Sequence, residues 1–124
     1  MTRGALLLAA LAGPAAAEAL PSGLTPVLED ARLEQRPGAD GPEGWATFRF
    51  LAEGMTGYDQ VMGDFGPLCA DVARPALDRA GREAQVIVIA MTDRPVPRGA
   101  VDLEAVQYFE SFRPTDAGCE ALEW

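Results

Sequence analysis

Gln85–Met91 reads QVIVIAM, and this stretch decides the fold. It is apolar without a break and rich in β-branched side chains, which predicts a central strand covered on both faces. Upstream, Trp45–Ala52 (WATFRFLA) alternates Ala46, Phe48, Phe50 and Ala52 with Trp45, Thr47, Arg49 and Leu51. A strand of that period turns Phe48 and Phe50 toward the core and the second set away from it. Thr25–Gln35 (TPVLEDARLEQ) reads as another strand, with Val27, Ala31 and Leu33 on one side and Glu29 a polar interruption among them. Pro37-Gly38 and the segment GADGPEG are expected to form the hairpin loop between these two strands.

Between the two strongest strands, Tyr58–Arg79 carries Val61, Phe65, Leu68, Cys69, Val72, Ala73, Ala76 and Leu77 at spacings of three and four. That is the pattern of a helix with one apolar stripe. Pro67 is expected to open a second helix with Asp64 near its cap, Pro75 to kink or split it, and Ala80-Gly81 to end it. Downstream, Thr92–Gly99 is a proline-rich loop. Ala105–Phe112 is a strand with Val106, Tyr108 and Phe112 on one face. Pro114–Gly118 is a turn, and Cys119–Trp124 a short returning strand. The expected fold is α+β: a mostly antiparallel sheet of four to five strands with one helix, kinked or split, packed on one face. Residues 25–124 are expected to form a single domain.

The first residues read differently. Thr2-Arg3 gives a short positive start, Gly4–Gly13 an uncharged apolar run, and Ala15 and Ala17 small side chains ahead of Glu18. This is the order of a secretory signal peptide, residues 1–17, followed by a loose leader at 18–24. The apolar run is shorter than the roughly 20 residues a membrane span needs. The expected location is therefore periplasmic or secreted, with no stable membrane anchor after cleavage. Cys69 and Cys119 are the two cysteines, and in an exported chain an even pair reads as a disulfide. The loop it would close, about 50 residues, is nominally worth ~4 kcal/mol. Two unpaired buried thiols are the alternative.

Composition removes several kinds of chemistry. The formal net charge is −9, with 19 acidic residues against 10 basic ones, which disfavours nucleic acid and anionic headgroups. Histidine, lysine and asparagine are absent. That rules out His-dependent triads, imidazole metal ligands, Schiff bases and a phosphate-loop lysine. No cofactor and no metal site is expected. The densest polar grouping is Asp93-Arg94, with Asp102, Glu104, Glu110 and Arg113 further along. Asp93 and Glu110 are candidates for paired acid–base carboxylates, and Arg94 or Arg113 for an anion clamp. Surface ion pairs and a loop cap at Asp93 are the simpler expectation. Asp59, Asp64 and Asp71 lack the spacing of a calcium loop and are expected to form a solvated helix face. Tyr108, Phe109 and Phe112, like Trp45 and Trp124, are weighed as an exposed aromatic patch, with packing expected instead.

At Thr92–Pro97 (TDRPVP) and Gln107–Arg113 (QYFESFR), with Cys69 and Cys119 around them, the chain resembles a family of small exported proteins from Rhodobacter-type alphaproteobacteria, a domain of unknown function. The likeness extends over the leader, the Gly63-Asp64-Phe65 helix segment and the C-terminal cysteine. Members often carry an aromatic residue before the position of Gly99 and a Trp soon after the last Cys. Arg98 and the segment Cys119–Trp124 depart from that pattern. Some members are automatically named acetolactate synthase. That activity needs a large thiamine-diphosphate fold, and no such motif exists here. The resemblance therefore implies no catalytic residues. The expected function is a non-enzymatic binding or accessory module acting through a sheet face or edge, with an envelope protein as partner. The alternatives are a small carboxylate-dependent hydrolase or lyase acting on an anionic ligand through Asp93, Glu110 and Arg94, and a purely structural envelope component.

Overall fold

The computed structural model describes residues 6–7 and 19–123. Apart from Leu6–Leu7, the expected signal peptide lies outside the described residues, as does Trp124. One sheet runs in sequence order: β1 (Leu6–Leu7), β2 (Val27–Gly38), β3 (Gly41–Leu51), β4 (Val86–Thr92), β5 (Gln107–Thr115) and β6 (Gly118–Ala121). β1 is a two-residue addition at the margin, so the body of the sheet has five strands. A helical layer lies between β3 and β4: α1 (Tyr58–Val61), α2 (Phe65–Leu68), a π-helical turn at Cys69–Ala73, and α3 (Arg74–Ala80). The fold is α+β, as the sequence predicts. All neighbouring strands are antiparallel except β3 and β4. That pair is parallel because the helical layer is its connection, and only a crossover of that length can bring the chain back in the same direction.

One face of the sheet meets the helices. Ala46, Phe48 and Phe50 from β3, Ile87, Ile89 and Met91 from β4, and Phe112 from β5 are buried together with Val61, Phe65, Leu68, Ala73, Ala76 and Leu77. Burying a side chain such as Phe48 or Ile89 stabilises the fold by about 1.5–3 kcal/mol. The alternation in Trp45–Ala52 holds residue by residue. In β2 it fails at one point. Leu28 pairs with Phe50 and Asp30 with Arg49, so Glu29 is an extra residue in a β-bulge. The bulge reverses the parity of everything before it. Leu28 packs on the core, and Val27, expected on the same side as Ala31 and Leu33, is 58% exposed.

The hairpin expected over GADGPEG is tighter than a loop. Gly38 pairs with Gly41, and the turn itself is Ala39-Asp40. Gly41 has φ +120°, a conformation other residues rarely adopt. At the other end β5 runs on through Pro114 to Thr115, which pairs with Gly118, so the turn there is Asp116-Ala117. Pro75 removes one backbone donor from the helix and its ring crowds the carbonyl a turn earlier. The wider π turn at Cys69–Ala73 accommodates it, and α3 starts with the proline in its first turn. Gly81 closes α3 in the left-handed conformation, and Arg82 N–H donates to Leu77 O at 3.0 Å. Cys69 and Cys119 form a disulfide with Cα atoms 6.2 Å apart, tying the helical layer to β6.

Asp64 corrects the expectation of a solvated acidic helix face. Asp59 and Asp71 are exposed, but Asp64 is fully buried. Its carboxylate does not cap α2. It accepts hydrogen bonds from Ser22, at 3.0 Å from the backbone N–H and 2.5 Å from the hydroxyl. Residues 19–26 contain a turn and no helix or strand, yet Leu20 and Leu24 pack on the core. Asp64 fastens that segment to the start of α2.

Candidate functional site: the loop-covered face

Among the described residues, the other face of the sheet carries no helix. Strand alternation brings Asp30, Arg32, Glu34 and Arg36 from β2 to it, with Trp45, Thr47 and Arg49 from β3. Cross-strand register adds Val88 and Ala90 from β4, and Gln107, Phe109 and Ser111 from β5. β4 is buried on this side too, with Val86 1% and Ala90 6% exposed, as expected of a strand covered on both faces.

Part of the cover is the loop 93–106. Asp93 holds its two ends together. Asp93 N–H donates to Val106 O at 3.0 Å, and Val106 N–H donates back to Asp93 Oδ1 at 2.9 Å. Thr92 Oγ1 donates to Arg94 O at 2.9 Å, and Val96 is turned inward, 9% exposed. The Val106 N–H, followed by the hydrogen bond from Arg94, lowers the Asp93 carboxyl below its ordinary value. Asp93 in turn holds the Arg94 guanidinium more firmly protonated.

Between this loop and the sheet lies a groove of about 400 Å³, lined by Arg36, Trp45, Arg49, Arg98 and Phe109 among others. Arg49 is central. One arm of its guanidinium donates to Val96 O, and the other lies 3.5 Å from Asp30 Oδ2. Arg98 reaches the second oxygen of the same carboxylate at 2.9 Å. Arg36 stacks over Trp45, 4.4 Å from the ring centroid, and pairs with Glu34 at 3.5 Å. Phe109 is 66% exposed, so the packing expected for it is corrected, while Phe112 is buried and Tyr108 sits edge-on to Tyr58 with ring centroids 5.6 Å apart. β5 alternates, and Phe109 falls on the opposite face from its two aromatic neighbours.

The four residues singled out from sequence are strung along the sheet. Asp93 and Arg94 form an ion pair at 3.3 Å, with Glu104 3.6 Å from Arg94. Glu110 is on the helix side of β5, where its carboxylate accepts a hydrogen bond from the Tyr58 hydroxyl. That bond, ahead of burial and nearby negative charge, raises the Tyr58 phenol above its ordinary value. Asp93 is level with Val106, four residues from Glu110, a distance of about 13 Å at ~3.3 Å per residue. Arg113 is further on and lines a separate groove beside α3, with Arg74, Asp78 and Arg82. The structure thus brings Asp93 and Arg94 together and leaves Glu110 and Arg113 elsewhere. The arginine–aromatic groove is a set that sequence reasoning did not assemble. Its one sequence signal is Arg49, a charged residue in the middle of a strand whose other face is Phe48 and Phe50.

Among the described residues, no group of three or more His, Cys, Asp or Glu is placed to hold a metal ion. No helix among them is long and apolar enough to cross a membrane. A family model described as "Family of unknown function (DUF6497)" matches residues 5–124. No curated protein and no solved structure matches the chain.

Proposed function

We propose that this chain, which belongs to the DUF6497 family of unknown function, is an exported binding or accessory module that works through the loop-covered face of its sheet. In this reading it acts in the periplasm, held together by the Cys69–Cys119 disulfide, and does no chemistry of its own. The observation that supports it is the make-up of the groove. Guanidiniums and aromatic rings are gathered on the sheet, and among the described residues the lining holds no carboxylate or thiol to act as base or nucleophile. The hydrolase or lyase reading needs Asp93, Arg94 and Glu110 within reach of one substrate atom, and the separation of Glu110 from the Asp93–Val106 level, about 13 Å at ~3.3 Å per residue, argues against it. Export is supported by the disulfide, which persists in oxidising compartments, and by the leader pattern in residues 1–17.

Fractionation of the native cell with mass spectrometry of the N-terminus, followed by cross-linking in the intact envelope, tests the reading. The expected product starts at Glu18, is periplasmic, contains no free thiol, and cross-links to a partner that is lost in Phe109→Asp. A cytosolic product that keeps Met1 and two free thiols refutes the export part. A measured turnover refutes the non-enzymatic part.

A further inference from the structure

We infer that the groove on the loop-covered face takes a small carboxylate with a flat apolar body, an inference that rests on the binding reading above and names its ligand class. The charge count inside the groove is the first ground. Arg49 and Arg98 share a single carboxylate, Asp30, and Val96 O is the one other acceptor they reach. Two guanidiniums carry ten N–H donors, so most of the two forks has no protein acceptor among the described residues. Arg36 and Glu34 balance one another, which leaves one positive charge in excess on this wall. A chain of net charge −9 has concentrated uncompensated cation in one concave place. Guanidinium forks match the two oxygens of a carboxylate better than they match a point anion.

The second ground is the rest of the wall. Phe109 and Val88 present apolar surface next to those donors, Arg36 covers one face of Trp45, and Gln107 and Ser111 supply neutral hydrogen-bonding groups. Phe109 is largely open to water, so a planar ligand body laid on it buries apolar area that the protein alone leaves exposed. A volume of about 400 Å³ suits a small molecule. An inorganic anion would use the arginines and ignore the rings. A neutral aromatic would do the reverse. The groove offers both together.

The test is a titration of the disulfide-bonded protein with 2-naphthoate, 2-naphthalenemethanol and acetate, followed by amide chemical shifts. Naphthoate is expected to saturate with shifts at Arg49, Arg98 and Phe109, binding at least about tenfold more tightly than either of the others. Arg98→Ala and Phe109→Ala are each expected to weaken it about tenfold, and Arg98→Lys, which keeps the charge without the fork, to restore only part of the loss. Both positions are at the surface, and unchanged thermal melts show that the variants fold. Equal affinity for the alcohol, equal affinity for acetate, shifts centred elsewhere, absence of saturation, or indifference to both variants overturns the inference. A periplasmic product that ignores naphthoate refutes the ligand class alone. A cytosolic product that binds it refutes the location alone.

Discussion

The two faces of the sheet are built from the same strands and behave as different materials. On the helix side Ala46, Phe48 and Phe50 of β3 are apolar and enclosed, with Phe48 at 0% and Phe50 at 2% exposure. On the loop side the residues between them are Trp45, Thr47 and Arg49, all partly buried, and Arg49 donates to Val96 O of the loop and pairs with Asp30 of β2. Period-two alternation thus lets one strand serve two ends. Its even residues supply the free energy of folding, and its odd residues place polar and aromatic groups on the opposite face.

Neighbouring residues on β3 should differ most in what their loss costs. Phe48→Ala is expected to lower unfolding stability by about 3–5 kcal/mol, and Thr47→Ala, one residue away, by less than about 1 kcal/mol. Urea unfolding measures both, and similar losses would mean the faces are not distinct. Next in size, Cys119→Ser is expected to remove about 2–5 kcal/mol. Wild-type protein under reductant should lose as much, with no effect of reductant on the variant.

Smaller effects sharpen the loop side. The Asp93 carboxyl is held below its ordinary value in the fold. The stability it supplies is therefore present above about pH 4 and is lost as the pH falls through the folded value. Asp93→Asn is expected to melt earlier than wild type at neutral pH, with the gap closing in acid. A gap that stays constant with pH would mean that the loop does not depend on the charge. The smallest change concerns Tyr58, raised by its hydrogen bond to Glu110. That contribution is present below about pH 10 and is lost as the pH rises through the folded value. Glu110→Gln should bring phenolate absorbance in at lower pH, with little effect on the melting temperature.

Much of the fold was legible because burial dictates pattern. QVIVIAM marked β4, WATFRFLA marked β3 with its inward set correct, and Pro75 and Gly81 marked where the helix is disturbed and where it stops. The parallel β3–β4 pair was not read from the sequence, which pointed to antiparallel neighbours; the long helical connection between the two strands is what makes it parallel. The bulge at Glu29 was not legible, because one extra residue looks like a polar blemish in a straight strand until the partner register is known. Asp64 misled for a related reason: an acid on a helix reads as solvated unless its long-range partner, Ser22, is in view. The groove escaped because Arg36, Trp45, Arg49, Arg98 and Phe109 come from four separate segments and meet only through sheet register and the path of one loop. The polar cluster that sequence proximity favoured, Asp93 with Arg94, is the fastener of that loop, and Glu110 lies further along β5, where it accepts from the Tyr58 hydroxyl.

The bulge in β2 has a further consequence for how the molecule meets its own copies. Among the described residues the outer side of this long strand is paired only at Arg32 and Leu33. A straight ladder of that length would invite stacking into ribbons. Glu29 interrupts the repeat of backbone donors and acceptors near the start of the strand and adds local twist there, while Asp30 to Gly38 keeps an unbroken register. The inserted acid also turns Asp30 to the side where it steadies two arginines.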